Sequence, residues 1–142
     1  MRSSPCTALI AALLLVSCGG TPGGPEPIPL DRANCARCGM LISSDANAAQ
    51  SRAPGQPARF YDDIGCLAGH TDARADGTAF YVRLASGGWA AAEDAWFAQS
   101  ADARTPMDYG VLAFAGRNEA AAADRDGQAH DWSAIGSFAE AR

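Results

Sequence analysis

The chain has 142 residues, a formal net charge of −5 and no lysine. Such an acidic surface excludes a basic face for binding nucleic acid. The sequence contains no GxSxG, no HExxH and no phosphate-binding glycine loop, so an enzyme is the class of protein with the least support.

The N-terminus predicts export and lipid attachment. Arg2 precedes an apolar run over Ala8–Val16, which is shorter than the roughly 20 residues that a membrane-spanning helix needs. The run ends in the sequence LVSC, which has the form of a lipobox. It predicts that residues 1–17 are a signal peptide and that lipid is attached to Cys18, so that acyl chains hold the protein on a membrane. An ordinary secretory signal with a chance cysteine at its end is the alternative.

The segment after the predicted lipid site has the composition of a tether. Residues 18–29 are rich in glycine and proline, which is typical of a flexible spacer. Residues 30–142 are long enough for one domain with a modest core. Gly19 is not the aspartate that retains a lipoprotein at the inner membrane, which favours the outer membrane. We therefore expect a lipid-anchored protein of the bacterial cell envelope that faces the periplasm.

The first half of the mature chain predicts strands around one helix. The predicted elements are a strand over Gly39–Ser43, a loop over Ser44–Pro57, a strand over Ala58–Asp62, a helix over Ile64–Ala75 and a strand over Thr78–Leu84. Asp63 is placed to cap the helix at its N-terminus.

The second half follows a similar order. Trp89–Gln99 is ambiguous between strand and helix, and Gly110–Ala115 predicts a strand. Arg117–Asp126 predicts an alanine-rich helix with Asn118 as its cap, and His130–Ile135 predicts a last strand. The order indicates an α+β domain built from two similar ββαβ modules.

Three thiols remain after the signal and the lipid site: Cys35, Cys38 and Cys66. An odd number cannot all pair within one chain, so at least one thiol is free or binds a metal. Cys35 and Cys38 as CxxC, with Cys66 and His70 one helical turn apart, have the spacing of a closed zinc site. A disulfide between Cys66 and either CxxC cysteine also stays open. Burial of Cys66 in the core and exposure of His70 would explain these two residues without a ligand.

The two methionines of the mature chain favour a soft metal. Met40 and Met107 lie beside Cys, Gly or Pro turns, whereas methionines that fill a core lie within hydrophobic runs. Cys38 and Met40 are two residues apart, which places both sulfurs on one side of an extended backbone. Thiolate and thioether ligands favour Cu(I), so the residues predict a Cu(I) site of Cys38, Met40 and Met107, with Zn(II) as the alternative.

Three motifs resemble the NosL family of copper-binding lipoproteins, which accompany nitrous oxide reductase. They are Cys38-Gly39-Met40, the sequence FYDDIGC at 60–66, and Thr105-Pro106-Met107 followed by VLAF at 111–114. The resemblance covers the lipobox and most of residues 30–135. It implies an α+β fold of two ββαβ modules and copper binding at Cys38, Met40 and Met107. Asp108 and Tyr109 depart from the glycine-rich continuation expected after the third motif.

The resemblance also implies a function and partners. The protein would carry Cu(I) in the periplasm and pass it, with an associated ABC-type transporter, to the copper centres of nitrous oxide reductase. The alternative is a membrane-tethered interaction module that is stapled by zinc or by a disulfide. The two hypotheses differ in their residues, because the carrier needs Cys38, Met40 and Met107 and the staple needs Cys35, Cys38, Cys66 and His70.

Overall fold

A computed structural model describes residues 23–70, 74 and 76–140. The predicted signal and the predicted lipid site at Cys18 lie outside these residues. The strands are β1 (Ala49–Arg52), β2 (Arg59–Tyr61), β3 (Ala79–Arg83), β4 (Trp89–Ala91), β5 (Trp96–Gln99) and β6 (Val111–Phe114). The helices are α1 (Ile64–Ala68), α2 (Arg117–Ala123) and α3 (Gly136–Glu140), with 3₁₀ turns at Ala92–Asp94 and Trp132–Ala134. Within the described ranges, no helix has the length and apolar character to cross a bilayer.

The strands form two antiparallel sheets. The first has the order β2-β1-β3-β4, and the second pairs β5 with β6. In the first sheet, Ala49 of β1 lies opposite both Tyr61 and Val82, and all three side chains are buried. A parallel bridge between Leu84 and Ala113 joins the two sheets. The α+β class predicted from the sequence is therefore confirmed.

The first half differs from the prediction in two places. The predicted loop over Ser44–Pro57 is wrong, because it contains β1, which lies between β2 and β3. The predicted strand over Gly39–Ser43 is also wrong, since only Leu41 makes an isolated bridge, to Asn34. Gly39 has a positive φ of 76°, which turns the chain instead of extending it.

Helix α1 begins as predicted and ends early. Asp63 caps its N-terminus by accepting a hydrogen bond from the Gly65 N–H at 2.8 Å. The helix ends at Ala68 with Gly69 as its C-cap, seven residues before the predicted end at Ala75, which lies outside the described residues. The strands predicted over Ala58–Asp62 and Thr78–Leu84 are confirmed as β2 and β3.

The second half keeps its strand and its helix but not its last strand. Gly110–Ala115 and Arg117–Asp126 are confirmed as β6 and α2, although Gly116, not Asn118, is the N-cap residue of α2. The ambiguous segment over Trp89–Gln99 divides into β4, a 3₁₀ turn and β5.

The strand predicted over His130–Ile135 is wrong. His130 makes a single bridge with Phe97, after which the Asp131 side chain accepts a hydrogen bond from the Ser133 N–H and starts a 3₁₀ turn. The described residues thus give the order β1-β2-α1-β3 in the first half and β5-β6-α2 in the second. The repeat of two ββαβ modules stays a prediction.

Part of the segment with tether composition lies on the first sheet. We call residues 23–28 the strap. The backbone of Glu26 pairs twice with the Gln50 side chain, donating its N–H at 2.9 Å and accepting from Nε2 at 3.0 Å. Arg52 donates to the Gly24 carbonyl at 2.6 Å and forms a salt bridge with Glu26 at 2.7 Å. The Tyr81 hydroxyl donates to the Gly23 carbonyl at 3.2 Å. The strap therefore satisfies backbone groups that a free tether would leave to water.

We expect Gln50→Ala to lower the free energy of unfolding by about 2 kcal/mol, because it removes two hydrogen bonds at a side chain that is 0% exposed. Gln56→Ala is the matched control, since Gln56 is exposed and, within the part of the chain that the structure describes, only its backbone N–H makes a hydrogen bond, to the Ala53 carbonyl. Urea denaturation measures both variants. In a chain that begins at Leu30, the effect of Gln50→Ala should shrink, because its partner is gone. An equal loss with and without the strap would contradict the docking.

Candidate metal centre

The fold brings Cys35, Cys38 and Cys66 to one place. One ligand atom from each of Cys35, Cys38, Cys66 and Asp62 lies within 4.8 Å of all the others. We call these four residues the thiol cluster. All three cysteines are free thiols. A tetrahedral zinc ion with Zn–S bonds of about 2.3 Å separates its sulfur ligands by about 3.8 Å, so the cluster has the size of a site for a single ion.

A tight turn presents the two CxxC cysteines. The Cys35 N–H donates to the Met40 carbonyl at 2.8 Å, and the Gly39 N–H donates to the Cys35 carbonyl at 2.9 Å. The positive φ of Gly39 permits this closure. The Ala36 N–H donates to the Phe60 carbonyl at 2.8 Å, which ties the turn to the edge strand β2.

The other two members of the thiol cluster come from the junction of β2 and α1. Asp62 directly follows β2, and Cys66 lies in α1. Cys35, Cys66 and Asp62 are buried, whereas Cys38 is half-buried and its thiol lies 3.7 Å from Asp62 Oδ1. Solvent therefore reaches the thiol cluster on the side where Cys38 lies.

Hydrogen bonds and burial set the charge of the thiol cluster. The Cys66 thiol donates to Cys35, and this bond is the main reason that the pKa of Cys35 falls to about 4. The same contact, with burial, raises the pKa of Cys66. Burial raises the pKa of Cys38 and of Asp62. One thiolate shared among neighbouring donors is thus the favoured state of the free site, and a bound cation would stabilise further thiolates.

The thiol cluster does not include His70. Because α1 ends at Ala68, His70 lies beyond the helix, and the predicted one-turn spacing from Cys66 along a helix does not form. The His70 Nδ1 is 2.9 Å from the Tyr61 hydroxyl, and the two rings meet edge to face. Asp62 stands in the fourth position, a role that the sequence did not predict. The sequence held one hint of this role. Asp62 stands beside Asp63, and a helix needs only one carboxylate as its N-cap, which leaves Asp62 without an explanation.

The two methionines differ in exposure. Met40 follows the turn directly, and it is 48% exposed. Met107 is partly buried and packs against the core that contains Cys35 and Cys66. The Met107 N–H donates to Asp63 Oδ2 at 3.0 Å, which ties the third motif to the start of α1.

Asp63 joins two distant segments of the chain. Its Oδ1 accepts from the Gly65 N–H, and its Oδ2 accepts from the Thr105 hydroxyl at 2.6 Å as well as from Met107. Thr105 Oγ1 in turn accepts from the Gly110 N–H at 3.1 Å. One buried carboxylate therefore holds the third motif against the helix that carries Cys66.

Arg37 and Tyr109 make a second link between the motifs. Arg37 donates to the Tyr109 hydroxyl at 2.7 Å and to the Gly65 carbonyl at 3.2 Å. A Cβ atom at Gly65 would overlap the Tyr109 ring, and one at Gly69 would overlap the Arg37 guanidinium. Glycine at these two positions lets the CxxC turn and the third motif pack closely on α1.

We expect Gly65→Ala to destabilise the fold by about 2 kcal/mol net, because moving the Tyr109 ring costs more than the roughly 1 kcal/mol that alanine gains in a helix. Gly116→Ala is the control, since the nearest neighbours of its Cβ would be side-chain atoms of Glu119 at 3.6 Å or more, so that its only cost is that of alanine as the N-cap of α2. Thermal and urea unfolding measure the difference. A Gly65→Ala protein as stable as the Gly116→Ala protein would contradict the close packing of Tyr109 on α1.

No family model, curated protein or solved structure matches the chain. The function is therefore inferred from the chemistry of the thiol cluster and from the three sequence motifs.

Proposed function

We propose that the protein is a membrane-tethered carrier of Cu(I), which it binds through the thiolates of Cys35, Cys38 and Cys66. The convergence of three free thiols within 4.8 Å is the observation that carries this proposal. Cu(I) is a soft cation that prefers thiolate and thioether ligands. A set of three thiolates can hold it without any other side chain.

The exposure of the thiol cluster supports transfer of the ion. Cys38 is half-buried beside the exposed Met40, so an incoming ligand can reach the ion on this side. The resemblance to the NosL family assigns copper binding to Cys38, Met40 and Met107, and we propose the two thioethers as rim ligands that act during exchange. The proposed anchor at Cys18 holds the carrier on the cell envelope facing the periplasm. Nitrous oxide reductase and an ABC-type transporter are the proposed partners, and two ββαβ modules are the proposed architecture.

A zinc-stapled module is the second candidate, and Asp62 is the observation that favours it. Its carboxylate oxygen completes a set of three sulfurs and one oxygen, which suits tetrahedral Zn(II). In this alternative the ion is structural, and the module serves as a tethered interaction domain. In this alternative, Asp62 is the fourth ligand, in place of the His70 that the sequence predicted.

Competition for the metal distinguishes the two candidates. The reduced mature protein is titrated with Cu(I) without oxygen against a bathocuproine-type chelator, and separately with Zn(II) against a chromophoric chelator. The matched variants are Cys38→Ser and Asp62→Asn. A Cu(I) carrier binds one ion, loses it in Cys38→Ser and changes less than about tenfold in Asp62→Asn, since Cu(I) has little preference for oxygen. A zinc ion that Cu(I) does not displace and that Asp62→Asn weakens would instead establish the staple.

A further inference from the structure

Two cysteines of the thiol cluster belong to a single turn of the backbone. The Gly39 N–H donates to the Cys35 carbonyl at 2.9 Å, which closes an α-turn over residues 35–39. In a turn of this helical kind, Cα atoms three residues apart are separated by about 5 Å. Disulfides join cysteines whose Cα atoms are about 4.4–6.8 Å apart. The sulfurs of Cys35 and Cys38 already lie within 4.8 Å of each other, so rotation of the two side chains is enough to bond them.

The three thiols differ in their access to solvent. Cys66 is 1% exposed in α1 and Cys35 is 3% exposed, whereas Cys38 is half-buried. A molecule in solution therefore reaches the thiol cluster first at Cys38. The Cys66 thiol donates its hydrogen to Cys35, which keeps Cys66 in the protonated, unreactive form and leaves Cys35 as the nucleophile next to Cys38.

From this arrangement we propose that the metal-free thiol cluster also reacts by thiol–disulfide exchange with small disulfide compounds, and that the product is a disulfide between Cys35 and Cys38. The Cys38 thiolate attacks one sulfur of the compound, forms a mixed disulfide and releases the other half of the compound as a thiolate. The Cys35 thiolate then attacks the Cys38 sulfur, forms the bond within the turn and releases the second half. Two protein thiols lose two electrons and two protons, and the compound takes them up as two free thiols.

The exchange reaction and metal binding compete for the same sulfur atoms. The disulfide leaves Cys66 as the last thiol of the cluster, so the oxidised site lacks two of the three thiolates that hold Cu(I) in the proposed function, on which this step rests. A bound Cu(I) ion in turn occupies the sulfur lone pairs that the attack requires. The loaded carrier is therefore protected, whereas an oxidised empty carrier needs a dithiol reductant before it takes up another ion.

Peptide mapping identifies the bonded pair, because trypsin cleaves after Arg37, between the two CxxC cysteines. The digest places the three cysteines on separate peptides, residues 33–37, 38–52 and 60–74. The reduced, metal-free mature protein is incubated with oxidised glutathione without oxygen, then alkylated in denaturant and digested. The incubation is mildly alkaline, since burial raises the pKa of Cys38. We expect mass spectrometry to find the first two peptides joined and Cys66 alkylated.

A metal-loaded sample and three variants test the individual steps. One equivalent of Cu(I) should slow the reaction by at least about tenfold, since only the metal-free fraction reacts. Cys35→Ser should stop at the mixed disulfide, with glutathione on Cys38. Cys38→Ser should stay unmodified over the same time, because it lacks the sulfur that solvent reaches. His70→Ala is the matched control and should react like the wild type, since its Nδ1 lies at the Tyr61 hydroxyl.

The outcomes separate the exchange reaction from the carrier function. A main product that joins the Cys66 peptide to another peptide would overturn the inference, as would a protein that stays reduced. Equal rates with and without bound Cu(I) would overturn the protection. Cu(I) competition on the same sample reports the carrier. A protein that forms the disulfide but binds no Cu(I) would refute the carrier and support the exchange, and one that binds Cu(I) but never forms the disulfide would do the reverse.

Discussion

Replacing Cys66 with serine is expected to weaken metal binding by at least about 100-fold, equivalent to about 2.7 kcal/mol. Cys66 is 1% exposed, and its sulfur belongs to the thiol cluster. Serine nearly preserves the volume but offers a hydroxyl that is a poor ligand for a soft ion. Competition against a chromophoric chelator, at one pH and under reducing conditions, measures the change in affinity.

His70→Ala is the control for this variant. Its Nδ1 lies at the Tyr61 hydroxyl, so the substitution should cost about 1 kcal/mol of stability and leave the metal affinity within about threefold. A silent Cys66→Ser would refute the three-thiolate site and return the ligand set to Cys38, Met40 and Met107. If His70→Ala weakened metal binding as much as Cys66→Ser, the zinc site predicted from the sequence spacing, with His70 as a ligand, would be supported instead.

The elements that the sequence predicted are those with a local signal. β3 and β6 are rich in aromatic and branched residues, and Asp63 marks the start of α1. β1 has the sequence AQSR, which contains none of the β-branched and aromatic residues that are enriched in strands. It becomes an interior strand through its pairing with β2 and β3, and this depends on contacts distant along the chain.

As with the strands and helices, only those parts of the site that have a signal in the local sequence could be predicted. Counting thiols drew attention to Cys35, Cys38 and Cys66, because an odd set after the predicted lipid cysteine demands an explanation, but the Cu(I) site predicted from the sequence was Cys38, Met40 and Met107. The fourth position depends on where α1 ends, and Gly69 ends it before His70 can reach the face of Cys66. Asp62 comes close only because the chain turns between β2 and α1. The composition of the strap could not predict that it docks on the sheet. Its partners are distant along the chain, since Gln50 lies 24 residues from Glu26 and Tyr81 lies 58 residues from Gly23.

Asp63→Ala should cost about 3–5 kcal/mol of folding free energy. The carboxylate is 0% exposed, and it accepts hydrogen bonds from Gly65, Thr105 and Met107. Its removal leaves three donors without their acceptor, which costs more than the net value of the bonds themselves. Urea denaturation measures the loss, provided that enough native protein remains in the absence of denaturant.

Asp131→Ala is the matched control, because Asp131 also caps a turn by accepting from a backbone N–H but lies at the surface. We expect it to be much less destabilising than Asp63→Ala, and equal losses would contradict the role of Asp63 as the link between two segments.

Because Asp63 holds the Met107 backbone, Asp63→Ala should also affect copper binding. If the Met107 thioether is a rim ligand, Asp63→Ala should weaken Cu(I) binding in the native protein but have no further effect in a Met107→Ala background. Additive losses would show that Asp63 acts on the thiolates through α1 and not through Met107.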